Sequence, residues 1–347
     1  MFDNIIRYME VPKRQYLSEF AVNLCSARWL LTSASQFMTG GTMRQQEKEI
    51  ADNCHIYLIG KAPVISYCKD SFKYEDGILS GKIIYRIEGV SREREFSIEF
   101  PLLDGAVELK LSNYPYRQVI TVDGNGQEVR YLPASVLAFR TEWHVVNSEL
   151  SDIEVLYVGQ AFGDGTRTAF DRLKSHSTLQ KILAQAQYES PDYEVQVLTF
   201  EYESYRVITQ LDGRAKNVIS DYRDMNRFRD ILRNHLSERE QICLVEAALI
   251  RYFQPRYNEI YKDNFPDNKH KILEGCYDLD FSGLIVEINT EELNYNLFSS
   301  TISPRSHHLC KVDILDPNKR WGFFHYDNGD GSVFKIPNVI ERKKKNS

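Results

Sequence analysis

Two stretches of the chain carry residues whose types and spacing suit phosphate chemistry. In the first, LYVGQAFGDGTRTAFDRLKSHS over 156–177, strand-like Tyr157-Val158-Gly159 runs into a glycine-rich turn and then a helical pattern holding Arg172 and His176. Four residues apart, Arg172 and His176 share a helix face. A guanidinium there suits bidentate phosphate contact, and the imidazole suits a leaving oxygen. Taken alone, a solvated face with an incidental histidine is the plainer explanation. In the second stretch, LSEREQICLVEAALIRYFQPRYN over 236–258, Ser237 and Glu240 give a capping-box signal. Ile242, Val245, Leu249 and Phe253 then form an apolar helix face. Glu246 falls inside that face, where a carboxylate is costly unless a cation or hydrogen bonds satisfy it. It reads either as a divalent-metal ligand, since Mg2+ takes one or two carboxylates plus substrate phosphates, or as half of a buried Glu–Arg pair. Pro255 ends the helix, and Arg256-Tyr257-Asn258 emerges beside the expected pocket.

Together these residues resemble the GIY-YIG nuclease superfamily. Tyr157-Val158-Gly159 is similar to its second half-motif, Y-[IV]-G, and Arg172–His176 to its R-x-x-x-H helix. Glu246 with Pro255-Arg256-Tyr257-Asn258 resembles its E…P-x-Y-N ending, including the gap of twelve from Glu to Asn. The resemblance covers about residues 134–262. It implies a divalent-metal-dependent endonuclease that hydrolyses DNA phosphodiester bonds with an activated water, Mg2+ or Mn2+ being held on Glu246. It places Tyr157 beside the water and Arg172 on the scissile phosphate. His176 then holds the pocket together or relays a proton, and Asn258 orients the phosphate or Tyr157. Arg167, Lys174 and Arg256 are the expected nucleic-acid contacts, and the residues do not separate DNA from RNA. Restriction or anti-phage defence is a setting that fits.

The first half-motif, G-I-Y, has no counterpart at the usual short spacing, where Trp143-His144-Val145-Val146 stands. Tyr131 and His144 are the candidate substitutes. The departure keeps an alternative open: a catalytically inactive nucleic-acid-binding or complex-assembly subunit with the same fold. Two other clusters carry less weight. Ser306-His307-His308 with Cys310 has metal-ligand types, but a strand points His307 and Cys310 to opposite faces. Asp327-Asn328-Gly329-Asp330-Gly331 opens like a calcium loop but meets Asn338 where the glutamate should stand, so a hairpin turn explains it better. No P-loop, dinucleotide fingerprint or G-x-S-x-G is present.

The elements that must position such a site make an α+β chain in three parts. Residues 1–133 read as a helix (about 13–39), a strand within 55–66 and, from 78, an antiparallel β domain suited to recognising a target or partner. Asp123-Gly124-Asn125-Gly126 gives a strong hairpin signal there. Residues 134–265 read as a small α/β nuclease-like domain. Its strands are Val136–Phe139, Ile153–Val158 and Glu194–Phe200, and its helices are Thr168–Gln187, Ala215–Asn234 and Glu238–Phe253. A helical insert at about 201–236 carries seven basic residues from Arg206 to Arg233. Their small positive balance fits phosphate contact, although a charged surface helix is the commoner case. Residues 266–347 read as a β segment with a basic tail.

The chain has 347 residues, 42% of them hydrophobic and 27% charged, which is ordinary for a soluble globular protein. A net charge of −6 excludes a histone-like packager while leaving room for a local basic groove. The six cysteines form no C-x-x-C pair, so neither a zinc ribbon nor a disulfide framework is expected. With no signal-type or membrane-spanning stretch, the expected setting is cytoplasmic, without a membrane partner. A homodimer or protein partner through the flanking β regions is a further expectation.

Overall fold

The computed structural model describes residues 13–35, 45–103, 105–139, 148–161, 177–330 and 332–343. The chain opens with β1 (Ser18–Ser33), α1 (Gln45–Asn53) and β2 (Ile56–Pro63). Seven strands follow: β3 (Ile65–Tyr67), β4 (Lys73–Glu75), β5 (Ile78–Ile87), β6 (Val90–Glu99), β7 (Ala106–Leu111), β8 (Gln118–Asp123) and β9 (Glu128–Pro133). Then come β10 (Asp152–Gln160), α2 (Ser177–Glu189), β11 (Tyr193–Tyr202), β12 (Arg206–Leu211), α3 (Tyr222–Arg233), α4 (Glu238–Phe253) and α5 (Glu274–Asp278). The chain closes with β13 (Gly283–Asn289), β14 (Asn296–Phe298), β15 (His307–Asp313), β16 (His325–Asp327), β17 (Val333–Lys335) and β18 (Val339–Ile340). The fold is mixed α+β and strand-rich.

A nine-stranded sheet runs in the order β14-β10-β2-β11-β1-β13-β15-β18, with β12 also on β1. β11 and β12 follow one another along the same edge of β1, β11 pairing from Ser26 onward and β12 pairing Ser18 to Asn23. This sheet takes strands from before 133, from 134–265 and from beyond 266, so it runs across both expected boundaries. Between β2 and β10 the chain builds a four-stranded and a three-stranded sheet. Ile65, Leu79, Ile83 and Phe96 of the first pack in one cluster with Val119 of the second. The anticipated hairpin joins β8 to β9, where the Asp123 carboxylate accepts the N–H groups of Asn125 (2.8 Å) and Gln127 (2.9 Å).

Several expectations change. The helix expected over 13–39 is strand β1, buried on both faces from Ser18 to Leu24. A central strand of this kind reads as an apolar run without alternation, and its Phe20 and Leu24 coincide with helical spacing. Val136–Phe139, expected as a strand, lies in a 3-10 turn, Ala134–Phe139. The insert at 201–236 is not wholly helical, since it holds the end of β11 and all of β12, and α3 starts at Tyr222 rather than Ala215. Of the helix expected over 168–187, the described part begins at Ser177.

Helices cover both faces of the sheet. On one face Ile56, Leu58, Val158 and Phe200 meet α4 through Val245, Ala248 and Leu249. Each fully buried side chain of this size contributes ~1.5–3 kcal/mol. On the other, Tyr57, Ile59, Val195 and Val197 meet α2 through Leu179, Ile182 and Ala186. The period of two along β2 thus sends Ile56 and Leu58 to α4, and Tyr57 and Ile59 to α2. Both ends of α4 are locally encoded. Ser237 N–H donates to Glu240 Oε2 (2.7 Å) in the capping box, and Gln254 closes the helix at φ 52° just before Pro255. Among the described residues, no helix is long and apolar enough to cross a membrane.

Candidate active site

Of the expected site residues that are described, Tyr157 and Asn258 meet at the last four residues of β10. β10 pairs antiparallel with β2, setting Gly159 opposite Tyr57 and Tyr157 opposite Ile59. Directly opposed residues and those two apart share a face. Tyr57 and Tyr157 therefore lie together, their ring centroids 6.1 Å apart at 29°. Gly159 makes this possible. A Cβ at residue 159 would lie 2.5 Å from Tyr57 Cζ and Oη and 2.8 Å from Tyr157 Cε1. The glycine of the Y-V-G run thus serves a close approach rather than an unusual backbone angle.

Asn258 holds this strand from its open edge. β14 pairs with β10 at Asp152 to Glu154, and beyond it the segment after Pro255 takes over. Tyr257 N–H donates to the Leu156 carbonyl at 3.1 Å. Val158 N–H donates to Asn258 Oδ1 at 2.9 Å, and Asn258 Nδ2 donates back to the Val158 carbonyl at 2.8 Å. The buried Asn258 amide acts as a one-residue strand that fixes Tyr157-Val158-Gly159. Its hydrogen bonds go to backbone, which makes it a positioning residue for Tyr157.

Glu246 arrives from the other face of the sheet. It is half-buried on α4, one turn beyond Cys243. Cys243 Sγ lies 3.5 Å from the side-chain amide of Gln160, the residue after Gly159. Burial raises the Cys243 thiol above its ordinary value, and the Glu246 charge adds to that rise. Tyr261 behaves alike, raised first by burial and then by Glu246. The carboxylate therefore acts on a thiol and a phenol at the rim where β10 ends. The tyrosine pair belongs to the α2 face of the sheet and Glu246 to the α4 helix on the other face, which touches the end of β10 through Cys243 and Gln160.

The remaining expectations sort as follows. Tyr131 is not beside Tyr157. It sits in β9 opposite Ile120, half-exposed in the three-stranded sheet. The place next to Tyr157 belongs to Tyr57. Arg256 is engaged by Glu189 at 2.7 and 3.3 Å, a pairing that raises the guanidinium and lowers the carboxylate. A phosphate there would have to displace Glu189. Arg167, Arg172, Lys174, His176 and His144 lie outside the described residues. The described flanks of 162–176 are nevertheless at the site. Ala161 N–H donates to the His55 carbonyl at 2.8 Å, and Ala161 and Leu179 pack in the cluster that holds Tyr57.

Tyr57 is the residue that sequence reasoning missed. His55-Ile56-Tyr57 differs from G-I-Y only in its first residue, yet it stands about a hundred residues before Tyr157. His55 Nε2 lies 3.5 Å from Glu238 Oε1 at the start of α4, tying this strand end to that helix. Among the described residues, no group of three or more His, Cys, Asp or Glu side chains could enclose a metal. A single carboxylate among phenols offers hard oxygen donors, which suits Mg2+ or Mn2+ completed by water and phosphate oxygens. The His308–Cys310 cluster is structural. The buried His308 is 3.2 Å from the Tyr252 hydroxyl, and Cys310 Sγ donates to the Ala248 carbonyl. No family model, no curated protein and no solved structure matches the chain.

Proposed function

We propose that the protein is a divalent-metal-dependent endonuclease of the GIY-YIG kind, in which a β domain interrupts the two half-motifs. The observation that carries this reading is the convergence on one strand end. Tyr57 stands across from Gly159, Tyr157 stacks beside it, Asn258 clamps Val158 from the edge, and α4, which carries Glu246, meets the same end one turn earlier through Cys243 and Gln160. With His55-Ile56-Tyr57 as the first half-motif, the tyrosine that the short spacing could not supply has a residue. The resemblance assigns the scissile phosphate to Arg172 and a supporting proton-handling role to His176.

In this reading Tyr157, which is half-buried, faces the reacting phosphodiester, and the fully buried Tyr57 packs against it from within the sheet's core. Tyr157 orients the attacking water and takes up its proton, and Tyr57 supports its ring. A free phenol has a pKa of ~10, so the role depends on positive charge nearby. Arg172 stabilises charge that develops on the phosphate. Asn258 and Gly159 fix the spacing of the two rings and touch no reacting atom. A metal held on Glu246 would supply charge neutralisation and a more acidic bound water. DNA is the proposed substrate, and defence against foreign DNA is a setting that fits.

A second reading keeps the fold and removes the chemistry. Two observations favour it: His55 replaces the glycine, and the tyrosines and Glu246 come from opposite faces of the sheet. The chain would then bind nucleic acid or assemble a complex without cutting. Supercoiled plasmid incubated with Mg2+ or Mn2+ separates the two readings. The nuclease reading expects relaxed or linear products, abolished by EDTA, with Tyr157→Phe lowering the rate at least tenfold. Tyr131→Phe should have no effect. Intact plasmid with every metal would favour the non-cleaving subunit.

A further inference from the structure

Between β2 and β11 of the main sheet and the sheets that follow β2 lies a groove of about 660 Å3, lined in part by Lys69, Arg86, Tyr114, Tyr116, Arg117 and Asp192. Its most unusual feature is Tyr114, which is 84% exposed. Its ring stands edge-on to that of Tyr116, with centroids 5.8 Å apart. The turn that carries both rings is held by backbone. Tyr116 N–H donates to the Asn113 carbonyl (2.9 Å), Tyr67 N–H to the Tyr116 carbonyl (2.8 Å), and Ser112 N–H to the Gln118 carbonyl (2.9 Å). The rings are thus presented on a fixed support with one face turned to solvent.

Cations surround them. The Lys69 ammonium is 5.8 Å from the centre of the Tyr116 ring, and Arg117 is anchored at 2.7 Å by Glu194. Of the two acids in the lining, Asp192 is already matched, accepting the Gly89 N–H at 2.7 Å and lying 3.7 Å from Arg86. Asp70 is the other. A neighbouring cleft of about 760 Å3 shares Arg86 and Asp192 but sets six carboxylates against Lys61 and Arg86. A polyanion is repelled from that cleft and steered to the Tyr114 groove. An exposed planar ring beside an ammonium and a guanidinium matches a ligand with a flat base and an attached phosphate.

We propose that this groove binds one nucleotide of a single-stranded or locally unpaired nucleic acid, stacking its base on Tyr114 and placing its phosphate near Lys69 and Arg117. The proposal rests on the nuclease reading for its source of nucleotide and extends it to target choice. From Tyr57 to Pro63, the end of β2 beside the groove, the strand spans ~20 Å at ~3.3 Å per residue. The bound nucleotide would then lie roughly six steps from the reacting phosphate, at ~3.4 Å per step.

The test is fluorescence anisotropy of a labelled single-stranded DNA of roughly twelve nucleotides, about twice that span, in EDTA so that no cleavage occurs. Tyr114→Ala is expected to weaken binding about tenfold, the size of one lost base–aromatic stack. Tyr114→Phe should bind like the parent, as should Tyr222→Ala, which removes an exposed ring on α3. Thermal melting of each variant checks the fold, and an exposed ring should leave it unchanged. Parent-like binding by Tyr114→Ala, an equal loss in Tyr222→Ala, or no binding at all overturns the proposal. A groove that binds AMP through Tyr114 while the DNA ignores the substitution also overturns it, marking a site for free nucleotides. Because binding is read without metal, an inactive protein that still loses DNA with Tyr114→Ala would refute the nuclease reading alone.

Discussion

Glu19 and Glu246 are both carboxylates set among apolar side chains, and the molecule treats them differently. Glu19, in β1, is 0% exposed. Arg320 Nη2 reaches both its oxygens, at 2.8 and 2.9 Å, and Arg227 lies 3.6 Å away. Both guanidiniums also share Asp280 and lie over the Tyr16 ring at 3.9 and 5.0 Å. Glu246 is half-buried, and the groups that respond to its charge include the Cys243 thiol and the Tyr261 phenol. Asp313 shows a third outcome. Fully buried, it is pushed by burial up to about 7, against the opposing pull of Lys335 and the Leu315 N–H. Its neighbour His325, at 3.6 Å, is pushed down to about 4. Burial thus disfavours the charged form of each. A carboxylate in such surroundings is matched by fixed cations, or protonated, or placed where another cation can come and go. The proposed function adds a divalent cation at Glu246.

The sharpest way to break this comparison is to strip Glu19 of its partner. Arg320→Met should cost ~3–5 kcal/mol, because it strands a buried charge. Urea unfolding measures it, and a loss below about 1 kcal/mol would mean that Glu19 is not held as described.

Asp313 sharpens it through pH. Its folded pKa lies above its ordinary value, so the folded state keeps a proton that the unfolded chain loses. Its contribution is present at low pH and is lost as pH rises from about 4 to about 7. His325 has the opposite sign, its contribution being lost as pH falls from about 6.5 towards 4. Asp313→Asn should therefore gain stability relative to the parent between pH 5 and pH 8, by ~2 kcal/mol or more. Urea melts at the two pH values read the difference, and an equal offset at both would contradict the assignment.

Smaller effects belong to the strand end. Asn258→Ala leaves a buried N–H and carbonyl of Val158 without their partner, at ~1–3 kcal/mol. Cleavage should fall with it, because Tyr157 loses its support. Gly159→Ala forces a methyl against Tyr57 and should cost about 1–3 kcal/mol. Near-ultraviolet circular dichroism would register the displaced tyrosines, and an unchanged spectrum would contradict the close approach of the two rings.

These residues also show what the sequence disclosed. The α4 helix was legible to its ends, since a capping box and a proline are local signals. Tyr157-Val158-Gly159 and Asn258 were legible as motifs, although only the structure reveals that Asn258 grips Val158. Tyr57 was not legible, because its partner strand is separated from it by two further sheets and only pairing brings them together. β1 was misread because a strand buried on both faces does not alternate. Glu19, Arg227 and Arg320 gave no signal at all, being joined from three distant segments.

Glu246→Gln tests the central claim most directly. Plasmid cleavage with Mg2+ or Mn2+ and thermal melting are measured on one preparation of the parent and the variant. The account expects the parent to cut, EDTA to stop it, and the variant to melt like the parent while cutting no plasmid. A variant that still cuts, or one that melts as early as Arg320→Met, would contradict it, the first by removing the metal role and the second by making Glu246 another Glu19.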